Sequence, residues 1–256
     1  MQSDGTQAAD FLKVLSPTLR EAGFKTKVVC CDATGLRQQE DILTELQQAG
    51  AEDTLSVVSA HGYQSEPNDP FTTDLPVWQT EWADLGGGWT PVWDDIGQAG
   101  EGIQCANKIQ EAFVRSNCSA FLHWIGAENS TGNSMLVKID GDSVEPSKRL
   151  WAFAQFSRFV KPGAVRIGAS SSNELLHVSA FENENGIVAI QVVNNGHVDY
   201  SVALSVHGAS PNAESVKSWL TNEDNDLNVL EKIVVNGGSF SGTVPARSMV
   251  SFVVSS

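Results

Sequence analysis

From Asp4 to Gly23, apolar positions at Ala8, Phe11, Leu12, Leu15 and Leu19 recur at three- and four-residue intervals. This spacing predicts an amphipathic helix with Asp4 as its cap and Gly23 as its stop. Lys27–Asp32 then reads as a short apolar strand, Gln39–Ala49 as a second helix and Leu55–His61 as a second strand. Leu75–Trp82 predicts a third strand, Gly102–Arg115 a helix, Ala120–Trp124 a fourth strand and Lys148–Phe159 a further helix. Strands alternating with helices imply parallel pairing through right-handed crossovers.

The texture changes at Lys161-Pro162-Gly163. Beyond it the pattern predicts strands at 164–168, 175–182, 187–193, 201–207, 216–221, 240–244 and 248–254, with turns at Asn185-Gly186, Asn195-Gly196 and Asn236-Gly237-Gly238. Short strands of this kind without a helical period suggest an antiparallel sandwich. The reading is therefore two domains, an α/β part over 1–160 and a β-sandwich over 161–256.

Composition narrows the function classes. Sixteen Lys and Arg against thirty-one Asp and Glu give a net charge of −15, which repels nucleic-acid phosphates and anionic membrane surfaces. No apolar run reaches the roughly 18 residues that a membrane-spanning helix requires, and Met1-Gln2-Ser3-Asp4-Gly5 does not resemble a signal peptide. The four cysteines show no C-x-x-C spacing. Cys30 and Cys31 are expected on opposite faces of a strand, and Cys105 and Cys118 are separated by a helix, so all four read as structural or free. Asn117-Cys118-Ser119 and Asn129-Ser130-Thr131 are glycosylation sequons that matter only after export.

The chemistry gathers at strand ends. Val77-Trp78-Gln79-Thr80-Glu81-Trp82 places a carboxylate in a parallel strand, where burying an unpaired charge is costly. One reading of Glu81 is a charge paired with a cation or reaching solvent; the other is an active-site group at the carboxyl end of a barrel strand. His61-Gly62-Tyr63, His123-Trp124 and Cys31-Asp32 close the other three strands. Aromatic faces with hydrogen-bonding tips suit sugar rings, although each His or Trp taken singly is more often structural. Trp93-Asp94-Asp95 is too sparse for a metal site, and Gly86-Gly87-Gly88 lacks the continuation of a phosphate loop. No metal or cofactor is expected.

Ser59-Ala60-His61-Gly62-Tyr63, Val77–Trp82, Phe121-Leu122-His123-Trp124, Lys148–Phe153 and Ser157–Ala164 together resemble glycoside hydrolase family 30, in its fungal endo-acting xylanase and β-1,6-galactanase branches. The resemblance implies a (β/α)8 TIM barrel fused to a β-sandwich and a retaining β-glycosidase with two catalytic glutamates. It implies that the four parallel strands are the fifth to eighth of the barrel, that Glu81 is the nucleophile, and that His61, Tyr63, Trp82 and Trp124 bind substrate. The family's acid/base sits in an Asn-Glu-Pro motif, which does not occur here; Ser65-Glu66-Pro67 and Val144-Glu145-Pro146 contain Glu-Pro away from the expected place.

The chain is accordingly expected to be the C-terminal part of a secreted enzyme that acts on a cell-wall polysaccharide, xylan before β-1,6-galactan. Such a part lacks the acid/base and is inactive alone. A sugar-binding module and a half-barrel that completes itself by association through its open edge are the alternatives. The sandwich, which in the family also draws on strand material before the barrel, is expected to lack an edge as well.

Overall fold

The computed structural model describes residues 4–65, 69–206 and 215–255. Two compact units are present, one of Met1–Ala83 with Glu111–Trp124 and one of Asp84–Gln110 with Ile125–Ser256. The second unit begins well before the change of texture at Lys161.

In the first unit, α1 (Gly5–Glu21) starts where the Asp4 carboxylate accepts the Gln7 N–H at 2.8 Å. It ends where Gly23 adopts φ 79° and Phe24 N–H donates to Leu19 O, a closure that favours glycine. Its buried face is Gly5, Ala9, Leu12 and Ser16, and Phe11 is 63% exposed. The small residues explain the shift of face relative to the apolar spacing. A Cβ on Gly5 would lie 2.5 Å from Glu45 Cβ and from Ile42 O, so this face permits close approach to α2 (Leu36–Gln48).

β1 (Val29–Ala33), β2 (Val57–His61), β3 (Val77–Glu81) and β4 (Ala120–Phe121) form one parallel sheet in the order β1-β2-β3-β4. α3 (Gly102–Val114) lies between β3 and β4 in sequence. Ala9, Leu12, Ile42, Leu46, Ala51 and Leu55 pack beside β1. The N-terminus of α2 has no cap of its own at Gly35. Instead, Ser65 Oγ accepts the Arg37 N–H at 3.0 Å. Cys30 and Cys31 are joined to each other by a disulfide, which corrects the expectation that they lie on opposite faces; Cys105 and Cys118 are buried free thiols, as the sequence suggests.

Among the described residues the second unit contains three sheets. β5 (Ala127–Glu128), β6 (Val137–Asp140) and β7 (Ser143–Pro146) form a small sheet that the hydrophobic pattern does not reveal, because β7 is exposed at every position. Then come α4 (Lys148–Ser157), β8 (Val165–Ile167), β9 (Leu176–Glu182), β10 (Val188–Asn194), β11 (Tyr200–Ser205), β12 (Ser215–Thr221), β13 (Asn228–Val229), β14 (Ile233–Val234), β15 (Ser239–Val244) and β16 (Ser248–Ser255). The large sheet runs β13-β12-β16-β10-β9-β8, with β14 also on β12, and β11 pairs with β15 in a second sheet. Each of the seven strands expected after Lys161 is present, although His207 falls outside the described residues.

β10 is buried at every position because both its faces are covered. Val188, Ile190 and Val192 join the core that includes Phe240 and Val244 of β15. On the other face Gln191 Nε2 donates to Gln155 O of α4 at 3.0 Å, and Gln155 Nε2 donates to Thr221 Oγ1 at 2.9 Å. This satisfied polar layer groups α4 with the sandwich rather than with the residues before Asp84. Within the sandwich, a cavity of 990 Å³ opens between β8–β10 and β11, lined by Ile167, Val178, Val188, Ile190, Val202 and Leu204 among others. β8 and β11 are terminal strands of their sheets among the described residues.

Candidate active site at the carboxyl ends of the parallel strands

The first unit brings His61, Tyr63 and Glu81 together. Glu81 ends β3 and pairs in register with His61 at the end of β2. Gly62 N–H donates to Glu81 O at 2.9 Å, and Tyr63 N–H and Gln64 N–H both donate to Thr34 O. The chain that leaves β2 is thereby held against the ends of β1 and β3. This places the Tyr63 hydroxyl 3.3 Å from Glu81 Oε2, as donor, and His61 Nδ1 3.5 Å from the same oxygen. The His61 and Tyr63 rings meet edge to face at 5.8 Å.

The Glu81 side chain keeps 30% of its surface exposed and that of His61 17%, so the carboxylate is reachable but largely enclosed. Burial, reinforced by the charge and the hydrogen bond of Glu81, pushes the Tyr63 phenol up to about 12. Tyr63 therefore stays protonated near neutral pH and serves as a standing donor to Glu81. A carboxylate held by a phenol at the carboxyl end of a parallel strand can act as a nucleophile or as an electrostatic anchor.

The two tryptophans separate. Trp82 is 6% exposed and contacts the Phe121 and His123 rings at 6.4 and 6.1 Å, so it is core to the rim rather than an open platform. Trp124 is 46% exposed, and its backbone N–H donates to Trp82 O at 3.0 Å. Trp124 thus presents an aromatic surface beyond the end of β4. Gly62 is needed for close approach: a Cβ there would lie 2.6 Å from Gln79 Nε2 and 3.1 Å from Trp82 Cδ1.

Several residues take part that apolar spacing does not single out. Buried Gln39 accepts the Cys31 and Ala33 N–H groups at 3.2 and 3.3 Å and so fixes the irregular end of β1. Thr80 Oγ1 donates to Asp32 Oδ1 at 2.5 Å. In the sequence Asp32 and Thr80 show only as polar side chains within short parallel strands, and Gln39 as one polar position among several on the second helix. Elsewhere, Asp94 pairs with Arg247 in the second unit and behaves as a structural anion, not a cation ligand. Among the described residues no group of three or more metal-ligating side chains occurs, and no helix is long and apolar enough to cross a membrane. Ser65-Glu66-Pro67 lies partly outside the described residues, and Glu145 sits on β7, where it accepts the Trp89 Nε1–H at 2.9 Å.

Residues 163–252 match the glycosyl hydrolase family 30 beta sandwich domain. The glucuronoxylanase XynC of Bacillus subtilis (strain 168) is 31% identical over 156 residues, which is 60% of this chain and 34% of that protein. The solved catalytic domain of GH30 xylanase C from Talaromyces cellulolyticus superposes with a TM-score of 0.93 at 37% identity, over 100% of this chain and 58% of that one. The family 30 subfamily 8 xylanase Xyn30A from Clostridium acetobutylicum shares the fold, with a TM-score of 0.81 at 21% identity. The chain spans about a third of the length of the curated relatives that it matches.

Proposed function

We propose that this chain, which resembles the C-terminal part of family 30 glycoside hydrolases of the xylanase type, carries the nucleophile side of the active site of a retaining endo-β-xylanase. The observation that carries the reading is Glu81, held by the Tyr63 hydroxyl at 3.3 Å beside His61 at the carboxyl end of β3. The similarity to xylanase C of Talaromyces cellulolyticus along the whole chain supports it, and the names of the relatives favour xylan over β-1,6-galactan. On this reading β1 to β4 are the fifth to eighth strands of a (β/α)8 barrel, and the complete enzyme is secreted.

In a retaining glycosidase one carboxylate attacks the anomeric carbon while a second, about 5–5.5 Å away, protonates the departing oxygen. Glu81 would form the glycosyl ester. The Tyr63 O–H would hold the carboxylate oriented until attack, and His61 would border the same oxygen. Water, deprotonated by the second carboxyl, then hydrolyses the ester with net retention. Asn-Glu-Pro is missing from these 256 residues, so the second carboxyl is proposed to come from polypeptide outside them. Alone, the chain would be inactive on xylan. An exposed Trp124 supports, as a second reading, residual sugar binding without turnover.

The test is to assay the chain on xylan alone and again after extension with the preceding barrel strands. The expected result is no turnover alone and, on extension, turnover that Glu81→Gln abolishes, with the retained anomer appearing first by NMR. Hydrolysis by the chain alone that survives Glu81→Gln, or an extended protein inert on xylan, would overturn the reading.

A further inference from the structure

Two irregularities lie at one level of the parallel sheet. Between β1 and β2 the register slips from Cys31 opposite Ser59 to Ala33 opposite Ala60, so Asp32 drops out of the ladder with φ 55°. Between β2 and β3 it slips from Ala60 opposite Gln79 to His61 opposite Glu81, so Thr80 drops out as well. Bulges of this kind re-aim side chains and concentrate beside active sites. Asp is one of the few non-glycine residues that tolerate the left-handed region. Here Gln39 holds the conformation by accepting the N–H groups on either side of Asp32, those of Cys31 and Ala33.

The two re-aimed side chains meet. Thr80 Oγ1 lies 2.5 Å from Asp32 Oδ1 and 3.3 Å from Ala60 O. A hydroxyl has one proton, and the shorter contact to the charged oxygen takes it. The Thr80 oxygen keeps acceptor capacity. Asp32 is exposed, and its Oδ2 makes no hydrogen bond among the described residues. Two unused acceptors, one of them charged, therefore stand side by side, and Thr80 is the residue next to Glu81. They match adjacent hydroxyl groups of a sugar ring, and the charge makes a carboxylate-bearing ring unwelcome at the same place.

Resting on the reading of Glu81 given above, we propose that Asp32 and Thr80 form a hydroxyl-binding subsite that takes an unsubstituted neutral sugar and discriminates against a ring bearing a uronic acid. Asp32 sets specificity by its charge, and Thr80 contributes a neutral acceptor fixed by Asp32.

The experiment is titration of the chain with xylotetraose and with xylotetraose carrying one glucuronic acid branch, by calorimetry at low and at moderate salt, on the parent, Asp32→Asn, Thr80→Val and Thr80→Ser. The parent is expected to prefer the neutral ligand. Asp32→Asn should cut that preference by about tenfold, more at low salt, because a screened charge is removed while the shape is kept. Thr80→Val should weaken both ligands by about fivefold with the preference unchanged, and Thr80→Ser should restore binding, as expected for one lost hydrogen bond. A merely structural tie would not alter the ratio between a neutral and an acidic ligand. If the parent binds and neither Asp32→Asn nor Thr80→Val changes affinity or preference, the subsite is overturned while the reading of Glu81 stands. If the parent binds neither oligosaccharide, the subsite is overturned together with the sugar-binding role of this rim. Should Asp32→Asn not fold, as judged by circular dichroism, the Thr80 variants decide: loss in Val with recovery in Ser supports the subsite, and equal binding in both refutes it.

Discussion

Asp94→Asn offers a quantitative test of what fixes the segment that follows β3 within the second unit. Arg247 Nε donates to Asp94 Oδ2 at 2.8 Å and its Nη2 to Oδ1 at 2.5 Å, a two-pronged ion pair with side chains only 22% and 18% exposed. The pair anchors more than itself. Arg247 Nη1 donates to Asn195 O at 3.0 Å, and the neighbouring Trp93, fully buried, donates its Nε1–H to Arg247 O at 2.6 Å. Asparagine keeps one acceptor oxygen but leaves the Arg247 guanidinium without its counter-charge. Breaking a buried pair by removing one partner costs about 3–5 kcal/mol and an exposed one about 0–1, so this partly enclosed pair should cost about 2–3. For a unit of this size that corresponds to a fall of roughly 4–12 °C in melting temperature.

The pH dependence has a definite sign. The Arg247 hydrogen bonds and charge hold the Asp94 carboxyl below its usual range. The folded state thus binds this proton less tightly than the unfolded state. The resulting stabilisation is fully present above the unfolded value near 4 and is lost as the pH falls through the lower folded value. Calorimetric melts of the parent and Asp94→Asn should therefore differ most at pH 6 and converge progressively below about pH 4. A variant that melts within 1 °C of the parent at pH 6, or a difference that stays constant into the acid range, would refute the argument.

Gly62→Ala should destabilise the first unit by about 1–3 kcal/mol, since the added methyl has to displace Gln79 and Trp82; an unchanged melt and an unchanged near-ultraviolet circular dichroism spectrum would contradict the packing. Ultraviolet difference titration should find Tyr63 ionising near 12, assigned with Tyr63→Phe, and Glu81→Gln should lower that value by removing the secondary charge and hydrogen-bond contributions while leaving the larger effect of burial. Ionisation at the ordinary value near 10 would show that the phenol does not sit against Glu81. The edges of the four-stranded sheet and the groove beside β11 should drive self-association, and a monomer by light scattering across the micromolar range would count against it.

The alternation of strands and helices over the first 124 residues and the turn-punctuated strands after Lys161 are local signals. Periods of 3.6 and 2 record which face of each element is covered, and these were legible from Asp4 onward. Glu81 stood out as a carboxylate in a parallel strand, and the sequence left open whether it is paired, reaches solvent or belongs to an active site. The sequence did not reveal which apolar residues face outward: Phe11 fits the helical spacing, yet α1 packs through Gly5 and Ala9 because α2 comes too close for larger side chains. Nor did it separate Trp82 from Trp124, since an aromatic residue at a strand end reads alike whether Phe121 and His123 cover it or solvent does. The small β5–β7 sheet escaped because exposed strands carry no hydrophobic alternation. The meeting of Tyr63 with Glu81, and of Asp32 with Thr80 across a residue separation of 48, depends on register slips between neighbouring strands. Register is a property of pairs of strands. It follows from the packing and hydrogen bonding of both partners at once, as at Gln39 and Gly62, and so only the tertiary structure decided which polar groups share one oxygen or one proton.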